Sequence, residues 1–134
     1  MTTNPPLPVS KAALWSGRIL SGLIVAAMLA AAAMSLSMSK EVVENSEKSG
    51  VPAATIRPIG VALAISALLY AIPQTAVLGA ILLTGYFGGA VFAHTRLLEY
   101  PVIPVPVIFG ALTWLGLFLR DPRLRALIPI RTSV

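Results

Sequence analysis

The sequence has no cysteine. Disulfides, thiol relays, thiolate zinc sites and iron–sulfur clusters held by this chain alone are therefore excluded. It has one histidine, His94, which rules out a haem held between two histidines of the same chain. Only five of the 134 residues are acidic, and none lies within an apolar run, so the intramembrane carboxylates that many carriers use are missing. The glycines of Gly85-Tyr86-Phe87-Gly88-Gly89 are not a nucleotide loop, because no lysine and hydroxyl residue follow them and no Gly-x-Gly-x-x-Gly spacing occurs there.

What the chain has is apolar surface. Hydrophobic residues make up 57% and charged residues 11%, with a mean hydropathy of +0.86. That leaves too little polar surface for a soluble globule and points to a lipid bilayer as the solvent. The length fits one domain. A net charge of +5 would suggest nucleic acid in a soluble protein. Here the Lys and Arg residues flank apolar runs, where headgroups and topology account for them, and no nucleic-acid partner is expected.

The spacing of charges and prolines predicts an all-α, integral membrane four-helix bundle. Residues 1–11, with Pro5, Pro6 and Pro8, read as an irregular tail. The transmembrane domain covers 12–129, with spans at about 15–37, 52–72, 75–94 and 102–119, and 130–134 form a C-terminal tail. The first span contains 21 uncharged residues, 19–39, about 30 Å of helix. A cleaved signal peptide ending near Ala30-Ala31-Ala32-Ala33 is the competing reading, but the run exceeds the usual signal length. Residues 40–50 suit either a short amphipathic helix, through Met38 and Val42, or a solvated loop.

Residues 58–93 are 36 positions without charge. As one helix they would reach about 54 Å, so the run must fold back, and Pro73 places a tight hairpin between helices 2 and 3. Beginning the second span at Pro52 gives it enough length; Arg57 then snorkels and Pro58 falls near its start. Basic residues favour cytoplasmic termini: Lys11, Arg18, Arg120, Arg123, Arg125 and Arg131 lie on that side, or 6 of 10, against Lys40, Lys48, Arg57 and Arg96 on the other. Arg18, Arg57, Arg120, Arg123 and Arg125 are expected to act as topology and headgroup anchors.

Small residues recur at four-residue spacing in the third span: Ala76, Ala80, Thr84 and Gly88, with Gly85 and Gly89 beside them. Such a ridge lets a neighbouring backbone approach, so Ala80, Thr84, Gly85, Gly88 and Gly89 are expected to pack helices. Gly110, Thr113 and Gly116 form a weaker stripe on the fourth span. The polar candidates for quinone contact are Thr84, Tyr86, His94 and Arg96. His94 suits a proton or hydrogen-bond relay to quinone, or simply a helix end at the interface. A hydrolytic triad fails because Asp121 and His94 end different spans, about 30 Å of hydrocarbon apart.

Trp15-Ser16-Gly17-Arg18, the stretch from Ala67 through Tyr70-Ala71-Ile72-Pro73-Gln74-Thr75 to Ala80, Leu83-Thr84-Gly85-Tyr86-Phe87-Gly88-Gly89-Ala90 with His94, and Leu119-Arg120-Asp121-Pro122-Arg123 together resemble the DoxX-like family of small bacterial membrane proteins. The resemblance implies a four-helix protein of the bacterial inner membrane. It also implies association with redox chemistry, since some members of the wider family are membrane subunits of thiosulfate:quinone oxidoreductases. Two departures stand out. An Asp-Gly and a Lys usual near the end of span one are replaced by Ala30–Ser37, and the Gly-Asp-Pro after His-x-Arg is replaced by Leu97-Leu98-Glu99-Tyr100-Pro101. The expected role is an accessory or structural subunit of a redox-related membrane assembly, with no catalytic constellation, no evident cofactor and no metal site. A quinone-interacting oxidoreductase subunit is the alternative and a small-solute carrier the third reading. Other membrane or redox subunits, or a homo-oligomer, are the expected partners.

Overall fold

The computed structural model describes residues 8–128; the remainder of both tails, Arg131 included, lies outside the described residues. Four helices are long and apolar enough to cross a membrane: Lys11–Leu36, Ala53–Ala71, Ala76–Arg96 and Tyr100–Arg120. Helix α1 (Lys11–Leu36) begins where Ser10 accepts a hydrogen bond from Ala13 N, four residues before the span edge suggested by hydropathy. A short α2 (Lys40–Lys48) follows, capped by Ser39 and carrying Glu41 in its first turn and Lys48 in its last. Residues 40–48 therefore form the amphipathic helix rather than the loop.

Helix α3 (Ile56–Ala71) continues a 3-10 turn at Ala53–Thr55. Pro58 sits in its first turn, where a missing N–H costs little. Ile72 then turns extended (φ −83°, ψ 122°), as a residue preceding proline should. Thr75 closes the expected hairpin by donating its hydroxyl to Leu69 O at 2.8 Å. Helix α4 (Ala76–Arg96), α5 (Pro104–Arg120) and the one-turn α6 (Pro122–Arg125) are the remaining helices of the described residues.

The four long helices form a ring with sides α1–α3, α3–α4, α4–α5 and α5–α1. Their buried positions advance by three and four residues: Gly17, Ser21, Ile24, Met28 and Ala32 on α1, then Ile56, Gly60, Leu63, Ala67 and Tyr70 on α3. Ala76, Ala80, Leu83 and Phe87 do the same on α4. These positions form the inward seam of the bundle, while the opposite faces expose Leu23, Ile65, Ile81 and Ile108 to lipid. The hairpin, α6 and the start of α1 share one end; α2 and His94 share the other.

The small-residue ridge of α4 packs against this chain only in part. A Cβ added at Gly85, Gly88 or Gly89 would meet nothing within 4 Å, so these glycines face outward and pack no helix of this chain. Thr84 is exposed as well; of that ridge Ala76 and Ala80 are buried. The close approaches lie elsewhere. A Cβ added at Gly17 would come within 2.8 Å of Gly116 O on α5, one at Gly60 within 2.9 Å of Ser35 Cβ, one at Gly79 would run into the Tyr70 backbone, and one at Gly116 would stand 2.8 Å from Ser21 Oγ and 3.0 Å from Tyr70 Oη. Periodicity identified a small-residue face but not its direction, because α4 is apolar all round and no polar side marks its outside.

Candidate functional site

A polar knot lies in the interior. Tyr70, fully buried on α3, donates its hydroxyl to Thr113 O on α5 at 2.7 Å and lies 3.0 Å from Ser21 Oγ on α1. Gly116 makes room for this meeting, since a Cβ there would collide with both hydroxyls. Thr113 returns its own hydroxyl to Phe109 O at 2.8 Å. Each hydroxyl has a partner within the bundle, as burial in an apolar medium demands. The knot joins three helices. None of Ser21, Tyr70 or Thr113 stood out as a functional residue in sequence; the only signal was the weaker Gly110, Thr113, Gly116 stripe.

At the α2 end a cleft of 210 Å³ opens between α2, the start of α3 and the end of α4. His94 and Glu99 line it with Ser46, Asn45, Val42 and Ile59. His94 Nδ1 and Glu99 Oε2 are 2.8 Å apart, with both side chains partly exposed. Leu98, at φ 58°, turns the chain back so that Glu99 N donates to His94 O at 3.0 Å, and this turn brings the carboxylate under the ring. A carboxylate on Nδ1 fixes the ring's orientation. Glu99 follows His94 by five positions, and the left-handed turn at Leu98 makes them a pair.

The other candidates are dispersed. Thr84, on the outer surface of the bundle, uses its hydroxyl twice within this chain, donating to Ala80 O at 2.7 Å and accepting from Trp114 Nε1 at 2.9 Å. Tyr86 sets its ring edge-on to Phe87, with centroids 5.8 Å apart. Arg96 lies over the backbone of Gly50, which adopts φ 71° to end α2; its Nη2 is 3.2 Å from where a glycine Cβ would stand. Of Thr84, Tyr86, His94 and Arg96, only His94 lines the cleft. Among the described residues, no three His, Cys, Asp or Glu side chains stand close enough to hold a metal.

The basic residues divide by role. Arg57 and Arg18 are exposed near opposite ends, and Arg18 stacks on Trp15 at 5.4 Å. Arg120 and Arg125 turn toward helix-end carbonyls. Arg120 Nη2 donates to Tyr70 O at 2.6 Å while its guanidinium covers the Tyr70 ring at 4.8 Å. Arg125 donates to Phe118 O and Leu119 O, at 2.8 and 3.2 Å, closing the end of α5. Cations at C-terminal carbonyls offset the helix dipole and satisfy acceptors that lipid cannot. Arg123 is exposed beside them.

These features define a multi-pass, four-helix membrane protein stabilised internally by a hydroxyl knot. The DoxX-like family model matches residues 19–116, most of the chain. The protein belongs to the DoxX-like family. No curated protein and no solved structure matches it.

Proposed function

We propose that this protein is an accessory transmembrane subunit of a redox-related assembly in a bacterial inner membrane, with both termini cytoplasmic. The observation that supports the reading is the outward face of α4: Gly85, Gly88 and Gly89 leave the helix backbone bare, with nothing of this chain within 4 Å. In lipid, bare backbone favours contact with another helix, since small residues allow van der Waals packing that lipid tails match poorly. The redox setting rests on family membership and the resemblance described above, not on this geometry. A carrier is disfavoured: the hydroxyls of the interior are bonded to each other and to backbone, and no acidic residue lies along the spans.

A second reading has its own support. The His94–Glu99 pair beside the 210 Å³ cleft resembles the arrangement needed to hydrogen-bond a quinone carbonyl through Nε2. One preparation tests both readings. The protein is purified from its native membrane in mild detergent as the parent, as Gly85→Leu/Gly89→Leu and as His94→Asn. For the accessory reading, a partner subunit co-purifies with the parent and is lost from the glycine variant, whose own Tm is unchanged. Retention of the same partner by the glycine variant would refute that docking face. A quinone extracted from the parent but not from His94→Asn would instead favour the oxidoreductase subunit.

A further inference from the structure

A larger cleft, of 360 Å³, opens at the opposite end of the bundle, between the start of α1, the α3–α4 hairpin and the end of α5. Leu14, Ala76 and Leu117 supply apolar walls; Arg18, Arg120 and Arg123 supply charge. The one carboxylate lining it, Asp121, accepts a hydrogen bond from Arg123 N at 2.9 Å as the cap of α6. Among the described residues none of the three arginines makes an ion pair. Arg120 is also incompletely satisfied. Its Nη2 is held by the Tyr70 carbonyl, while Nε is buried without a hydrogen-bond partner.

Three arginines and one carboxylate leave the cleft net positive, and half-buried Arg120, with its unpartnered Nε, carries the cost of an uncompensated charge while Arg18 and Arg123 stand exposed beside it. An oxyanion between them would remove that cost. Phosphate suits guanidinium forks, and basic pockets between membrane helices at headgroup level select anionic lipids. The apolar walls beside the charges add a surface for the glycerol and upper acyl region of a lipid. We propose that this cleft is a phosphate-binding site, taking the headgroup phosphate of an anionic phospholipid or a free phosphate of the same chemistry. The site is separate from the glycine face of α4 and from the His94 cleft, and it does not depend on the accessory reading.

The test uses the full chain in nanodiscs at roughly 0.15 M salt, where exposed charges are screened within about 8 Å. Discs of phosphatidylcholine alone are compared with discs containing phosphatidylglycerol, and neutral discs are also titrated with inorganic phosphate. Phosphatidylglycerol is expected to raise the parent's Tm by about 3 °C or more, through preferential binding to the folded state. Arg18→Gln/Arg123→Gln should lose that rise, leaving Arg120 in place on Tyr70. Arg57→Gln, at the other end, should keep it. A rise with phosphate in neutral discs that the double variant loses also supports the site and identifies a soluble source. The proposal fails if neither probe raises the parent's Tm, if the double variant retains the full rise, or if Arg57→Gln abolishes it equally.

Discussion

A phenol in the middle of an apolar bundle must place its hydroxyl somewhere, and Tyr70 does so by reaching two other helices at once. Its bond to Thr113 O and its contact with Ser21 Oγ each contribute only about 1 kcal/mol, as polar pairs in membrane bundles typically do. Losing both should be visible. Tyr70→Phe keeps the ring under Arg120 but removes the hydroxyl, and should destabilise the protein by about 1–2 kcal/mol in a reversible detergent or denaturant titration. A loss indistinguishable from zero would mean that the knot contributes no net stability. The sequence places Tyr70 in the stretch that carries the family resemblance but does not mark its partners, because Ser21 and Tyr70 are 49 positions apart. Their meeting depends on which helices abut, which hydropathy does not encode.

Elements were more legible than their faces. Pro73 announced the hairpin through local chemistry alone, since proline constrains its own φ and the residue before it. The interior side of α4 had no such local mark. Two sets of small residues lie on that helix, and the set that meets a neighbour is the one containing Gly79, whose Cα faces the Tyr70 backbone across the hairpin. Gly79→Ala should therefore force α3 and α4 apart and lower stability by about 1–3 kcal/mol. Gly85→Ala should be neutral or slightly stabilising, because alanine is the better helix former and open space receives the methyl. Thermal unfolding of the two variants side by side checks this; equal losses would mean that both faces are packed.

At the scale of the molecule, an even number of spans puts the start of α1, the hairpin and α6 on one side, and α2 with His94 on the other. The excess of arginine and lysine at the first end predicts that it is cytoplasmic. A periplasm-active reporter should be silent after Val134 and active when inserted near Ser46; the reverse pattern would invert the orientation. Span number and fold class were readable from charge spacing, whereas the ring order was not, because every long helix is apolar all round. That ring also has a seam in time. The α3–α4 side joins neighbours across a four-residue turn and can form as soon as both helices are inserted, but the α5–α1 side joins the first long helix to the last. Until α5 enters the bilayer, Gly17 and Ser21 face a vacant position and the Tyr70 hydroxyl lacks its carbonyl acceptor on α5. The polar knot thus works as a latch that only the completed chain can close, making the final packing step cooperative and a chain halted before α5 an open arc with a phenol directed at lipid.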